Sequence, residues 1–472
     1  MGGLHERAIL EREITMSGQT LLLKHADVLL TMDPAVERIS DGGMYIRDNV
    51  IEQIGPTDEL PAEADRVIDA SGMLIMPGLI NIHHHLYQTL TRALPGAQDA
   101  KLFDWLVRLY PVWGELTNEA VYTSTTLGLA ELALTGCTTS TDHLYILPND
   151  STHDAEIEAA RELGIRFHAT RGSMSLGRSQ GGLPPDHVVE DEDHILKDSQ
   201  RVIEAYHDPE PYAMTRIALA PCSPFSVTAD LMRETTKLAR AYKNVMLHTH
   251  VAETEDEQDF TLEKVGLRPA RYMEELGWVG DDVWWVHCIW LTDDEVDLMA
   301  ETGTGVAHCP SSNMRLGSGI APIIQMVQKG VKVGIGVDGS ASNDAGHMIM
   351  ETRNALLLQR VANGASSFTV MDALRLATTG SAAAINRPDL GRLGAGQAAD
   401  FIGIRLDRME MAGGAVHDPV AAVLLCPPLT VDLNVVNGRE IVRDGQVLGV
   451  DLPALIAKQN RIAKAMAEKH PV

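Results

Sequence analysis

Apolar residues fall into three blocks along the chain. Between residues 20 and 76 they form short runs: Leu21-Leu-Leu-Lys-His-Ala, Val28-Leu-Leu-Thr-Met, Gly43-Met-Tyr-Ile, Val50-Ile-Glu-Gln-Ile and Val67-Ile-Asp-Ala. Turns such as Asp41-Gly-Gly and Asp48-Asn separate them, so the block predicts β-strands. The same texture returns in Asp400-Phe-Ile-Gly-Ile, Val423-Leu-Leu, Val431-Asp-Leu-Asn-Val-Val-Asn-Gly438, Arg439-Glu-Ile-Val-Arg and Asp444-Gly-Gln-Val-Leu. Two β-rich ends around one large middle predict that residues 1–76 and 391–472 pair into a single small β-sandwich domain. An amphipathic helix over 455–468 is expected to pack back on the middle of the protein.

Between these ends, over 77–390, strand-like and helix-like patterns alternate. Helices are predicted at Asn118–Leu134, Thr152–Leu163, Asp191–Tyr206, Ala229–Tyr242 and Asp293–Glu301. Strands are predicted in the apolar run ending at His83 and at Thr138–Asp142, Arg166–Thr170, Arg216–Ala220, Val245–His250, Val283–His287, Gly305–His308 and Val331–Asp338. About eight β/α units over some 300 residues match a (β/α)₈ barrel. A doubly wound open sheet is the competitor, but it usually carries a Gly-rich phosphate turn after its first strand, where this chain has histidines.

Composition narrows the function. The length of 472 residues fits one large domain plus a smaller one. A net charge of −26 disfavours a nucleic-acid duplex or an anionic membrane surface as partner, but not a single uncharged nucleobase. Five scattered cysteines without a Cys-x-x-Cys pair read as reduced thiols, and hence a cytoplasmic protein. No signal peptide is expected over Met1 to Met16, nor any membrane span.

The chemistry lies at the predicted strand ends. His83 and His85 follow an apolar run and are two apart, so in a strand both rings face one way while His84 points away. His250 ends a second strand with Glu253 three residues beyond; His287 ends the next; Asp338 closes Gly334-Ile-Gly-Val. Three imidazoles and a carboxylate at one barrel mouth suit one divalent ion, zinc by ligand type, with a position left for water. Glu253 and His287 remain for proton transfer and charge stabilisation. His143, His168, His248 and His347 could border the site without a spacing argument for metal binding. His5, His25, His153, His187, His194, His207, His417 and His470 read as solvated, as does the run Glu253–Glu257 apart from Glu253.

Together these motifs resemble the amidohydrolase superfamily in its branch of purine, pyrimidine and aminotriazine deaminases. The resemblance spans nearly the whole chain. It implies a (β/α)₈ barrel with a β-sandwich from both chain ends, metal ligands His83, His85, His250 and Asp338, and catalytic Glu253, His287 and Asp338. Binuclear members carry a bridging lysine; Arg216 to Ala220 has none, which implies one metal. The stretches around Gln88, Trp113, Tyr145 and His308-Cys-Pro-Ser-Ser-Asn313 are similar to guanine deaminases. Ala220-Pro-Cys222-Ser-Pro-Phe, in place of their Pro-Arg-Phe, and Arg171-Gly-Ser-Met-Ser resemble 8-oxoguanine deaminases. Gln88, Trp113, Tyr145 and Cys222 are the candidate walls of a ring pocket. The expected reaction is 8-oxoguanine to urate and ammonia. Guanine, isoxanthopterin and hydroxyatrazine-type aminotriazines remain alternatives, as do a cyclic-amide hydrolase and a non-catalytic binding protein. The expected partner is a small nucleobase-like molecule, in a possible homo-oligomer.

Overall fold

The computed structural model describes residues 18–471, so Met1 to Met16 lie outside the described residues. Five strands come first: β1 (Thr20–Leu30), β2 (Arg38–Arg47), β3 (Val50–Pro56), β4 (Arg66–Asp69) and β5 (Met73–Pro77). Eight follow with helices between them: β6 (Leu79–Asn81), β7 (Cys137–Leu144), β8 (Arg166–Ser173), β9 (Thr215–Pro221), β10 (Met246–Val251), β11 (Val283–His287), β12 (Gly305–His308) and β13 (Val333–Ile335). The chain returns through β14 (Phe401–Arg405), β15 (Leu433–Val436), β16 (Arg439–Arg443) and β17 (Gln446–Val447).

The eight middle strands close into a parallel barrel in chain order, β13 meeting β6 through the pair Ile335 and Asn81. Both predicted halves of the small domain join one sheet, ordered β17-β16-β15-β14-β5-β1-β2-β3, with β4 beside β1. Their junction is the antiparallel pairing of β5 with β14, Pro77 opposite Phe401. The sheet curls over a core of its own, in which Leu23, Met44, Ile75, Phe401 and Val435 meet. The leucine runs at 21 and 28 form one strand, β1, shifted in register between Leu23 and Ala26 where His25 takes φ +61°.

Local signals explain most helix positions. Thr117, Asp191 and Thr228 each accept a backbone N–H from the first turn of the helix they precede. Val423-Leu-Leu, predicted as a strand, lies in the helix Pro419–Leu425. There Asp418 accepts from two first-turn amides and Pro419 takes the first helical position. The C-terminal helix runs Leu452–Glu468 and packs back on the barrel: Gln459 donates to Thr89 Oγ1 (3.0 Å), and Met466 is buried in the apolar cluster of Leu106, Trp113 and Tyr145. Inside the barrel, Ile80, Ile82, Trp284 and Val286 are closed from below by Ala382, Ile385 and Leu390. Among the described residues no helix is long and apolar enough to cross a membrane.

Candidate metal centre and ring pocket

Asn81 frames the mouth. Its amide donates to Ser140 Oγ (3.0 Å) and accepts from Val337 N (2.9 Å), tying the chain ahead of His83 to the strands on either side. His83 Nε2 and His85 Nε2 then lie 3.2 and 3.4 Å from Asp338 Oδ1, and His250 Nε2 lies 3.3 Å from His85 Nε2. All four side chains are buried.

The hydrogen bonds behind these rings fix their tautomers. His85 Nδ1 faces the carbonyl of His143 (2.7 Å) and His250 Nδ1 that of Cys222 (2.6 Å), so both Nδ1 atoms are donors. His248 Nδ1 donates to the Trp284 carbonyl (3.0 Å), leaving its Nε2 to accept from His83 Nδ1 (2.9 Å). In each of His83, His85 and His250 the bare lone pair is therefore on Nε2, and two bare nitrogens 3.3 Å apart cannot bond each other. Burial pushes all three imidazoles below their usual range, which keeps them neutral. Burial opposes ionisation of Asp338 too, but its position among the imidazoles of His83, His287 and His85 outweighs burial and holds the carboxyl well below its usual range. Converging neutral lone pairs beside a carboxylate are a donor set that a divalent cation satisfies. His143 joins the group: its Nε2 donates to Ala220 O (2.8 Å), and its bare, buried Nδ1 lies among the other three.

His287 and Glu253 stand beside this cluster. His287 Nδ1 donates to Asn313 Oδ1 (2.9 Å), which turns a bare Nε2 toward Glu253 Oε2 (3.6 Å) and Asp338 Oδ2 (3.9 Å). Burial raises the Glu253 carboxyl to about 7, so it holds a proton near neutral pH. Glu257, read from sequence as solvated, is fully buried. Its carboxyl accepts the backbone N–H groups of Ala252 and Glu253 (2.9 Å each) and fixes the turn that aims Glu253. Four non-glycine residues here, Ala252 (φ +55°), His287 (+68°), Cys288 (+50°) and Asp338 (+61°), are in the left-handed region, a strain held by the surrounding barrel. Gly339 follows Asp338 because a Cβ there would strike the Gln88 amide, 1.9 Å away.

A pocket opens over the cluster. His85, His250, Glu253, His287 and Asp338 form one side; Gln88, Tyr145 and Cys222 line it too, with Trp105, Tyr110 and Phe225. Trp113 is not among the lining residues. It is fully buried, donates to Thr91 Oγ1 (3.1 Å), and packs edge-on against Tyr87, Trp105 and Tyr110.

Residues 74–441 match the Amidohydrolase family. The chain belongs to the amidohydrolase family. This amidohydrolase is 46% identical to 8-oxoguanine deaminase of Pseudomonas aeruginosa over 428 residues, 90% of this chain and 95% of that protein. It is 37% identical to hydroxydechloroatrazine ethylaminohydrolase of Pseudomonas sp. strain ADP over 444 residues, 90% of this chain and 91% of that protein. Among solved structures, atrazine chlorohydrolase TrzN from Arthrobacter aurescens TC1, complexed with zinc, superposes with a TM-score of 0.89. It shares 35% identity, and the match covers 94% of this chain and all of that one.

Several features of the amidohydrolase site escaped the sequence. His248 and Asn313 set tautomers across the barrel, and Glu257 lies in what looked like a solvated acidic run. His153, also read as solvated, is buried and bonds the Leu144 carbonyl (3.1 Å). His168 and His347 do not border the site: His168 takes a hydrogen bond from Arg387, and His347 caps the helix Met348–Asn363. Arg171 is held in a buried ion pair with Glu190 and Asp198.

Proposed function

We propose that this amidohydrolase is a metal-dependent deaminase that converts 8-oxoguanine and water into urate and ammonia. The observation that carries the catalytic reading is the set of three bare, neutral Nε2 atoms, two of them within 3.4 Å of the Asp338 carboxylate, with a proton-holding Glu253 beside them. His83, His85, His250 and Asp338 would hold one divalent ion, zinc by donor type; the zinc complex of the triazine-hydrolase neighbour supports that choice. When bound, the ion supplies Lewis acidity that brings the pKa of water toward neutrality.

The chain's own groups handle the protons. Asp338, held as a carboxylate, accepts a proton from the attacking water as its oxygen adds to the amino-bearing ring carbon. Glu253 delivers its proton to the adjacent ring nitrogen, takes up the proton that Asp338 removed from the water and passes it to the departing amine; the last proton of the attacking oxygen, accepted by His287, returns to Glu253 as the carbonyl forms. His287, its Nδ1–H committed to Asn313, accepts at Nε2 the hydrogen of the attacking oxygen and then, protonated, stabilises the charge that develops there. The exocyclic C–N bond to the amino group breaks, ammonia leaves with the relayed proton, and the ring carbon keeps the new oxygen. Tyr145, Trp105 and Phe225 give the flat apolar walls a planar ring requires.

Cys222 in place of the guanine-deaminase arginine, together with 46% identity to 8-oxoguanine deaminase, supports the substrate. Five free cysteines, four of them buried, support a reducing compartment, and we place the protein in the cytoplasm. Ammonia release against oxopurines, pterins and hydroxytriazines tests the reading. Urate formation from 8-oxoguanine with the highest kcat/KM is expected; a far higher value on guanine or a hydroxytriazine would replace the substrate and leave the deaminase.

A further inference from the structure

Tyr110 lines the cavity from the helix Leu102–Trp113, and no sequence motif singled it out. Its side chain is fully buried, and its hydroxyl has no hydrogen-bond partner among the described residues. The two indoles on the same helix are satisfied, Trp105 by the Ala341 carbonyl and Trp113 by Thr91 Oγ1 (3.1 Å each). A buried hydroxyl without a partner is destabilising, so natural folds rarely leave one unless a ligand completes it. Burial holds this phenol in its protonated form, available as a donor, and the neighbouring Cys222 and Tyr87 reinforce that state.

The reacting carbon of a bound ring must lie at the end of the cavity formed by Glu253, His287 and Asp338. A purine with its amino-bearing six-membered ring at that end extends its five-membered ring into the remainder of the cavity, whose lining includes Tyr110. That edge is where two candidate substrates differ. 8-Oxoguanine presents a carbonyl between two N–H groups, whereas guanine presents a C–H. We propose that the Tyr110 hydroxyl donates to the C8 oxo group and is the specificity-determining residue that separates 8-oxopurines from guanine. This rests on the deaminase reading above and adds the group that selects the substrate. A site built to hydrogen-bond a polar group discriminates strongly against the analogue that lacks it, because its own donor is then left dry.

Tyr110→Phe tests this, since it removes the hydroxyl and keeps the ring. The expected result is a fall of roughly 10- to 100-fold in kcat/KM on 8-oxoguanine, with turnover or competitive inhibition by guanine changed less than about two-fold. Metal content should be unchanged. The melting temperature without ligand should hold or rise, because the lost hydroxyl bonded nothing in the protein. A parallel loss on both purines, an unchanged rate on 8-oxoguanine, or a lowered melting temperature would each overturn the assignment. A wild-type enzyme inert on every oxopurine would overturn the substrate reading itself, and that result appears before any substitution is made.

Discussion

The two ends of the barrel both bury ionisable groups, and they treat them in opposite ways. At the floor, the fully buried guanidinium of Arg166 reaches both oxygens of Asp400 (2.9 and 3.1 Å), the carbonyls of Tyr212 and Ala213, and the Asn437 side chain. Arg387 pairs with Asp389 (2.7 Å) and donates to His168 (2.9 Å). At the mouth, His83, His85 and His250 keep bare nitrogens and Glu253 keeps a proton. Satisfied charge at the floor joins β8 to the start of the returning sheet; unsatisfied groups at the mouth are reserved for ligands. This matches the division of labour in such barrels, where the C-terminal strand ends work and the opposite face stabilises.

Substitutions can sharpen that contrast. His250→Ala removes a donor and should reduce bound metal from about one ion per chain to a small fraction, with activity falling below detection; elemental analysis beside an ammonia assay checks both. Glu253→Gln should lower kcat by roughly 10²- to 10⁴-fold while metal content stays full, since it removes a proton carrier and no ligand. A near-normal kcat with full metal would assign the proton work elsewhere. Arg166→Ala should do the reverse, leaving Asp400 buried and unpaired at a cost of about 3–5 kcal/mol in urea unfolding. Its kcat on the folded fraction should stay within about two-fold of wild type; a large kcat loss would break the division between the two ends.

The smallest effect is one of pH. Burial raises Glu257 from 4.5 to about 7, so between those values the native state holds a proton that the unfolded chain has released. Stability from this group is therefore highest below pH 4.5 and declines as pH rises toward 7, by at most about 3 kcal/mol. Glu257→Gln should flatten that slope, which denaturation midpoints at pH 5 and pH 8 would measure.

Sequence alone made the barrel legible because its strands are compact apolar runs and several helices carry their own starting signal, as at Thr228. Strand periodicity placed His83 and His85 on one side, although β6 ends at Asn81 and both lie in the segment beyond it; Asp338 likewise follows β13 by three residues. What stayed hidden depends on pairs distant in the chain. His248 meets His83 across 165 positions, and Asn313 meets His287 across 26. Glu257 reads as one acid in a solvated run until the turn at Ala252 brings two amides onto it. Trp113 and Tyr110 sit three residues apart on one helix, and only packing decides which of them reaches the cavity.

The single-pair seam between β13 and β6 has a consequence for synthesis. The donors of the mouth are spread from His83 to Asp338, in or just beyond strands that close into a barrel only when Ile335 meets Asn81. No nascent chain shorter than that can assemble the ion's site. β5 pairs early with β1 but gains its second neighbour later still, because β14 begins at Phe401. Metal uptake during translation would thus act as a late checkpoint, occurring only after the ribosome has released nearly three quarters of the polypeptide.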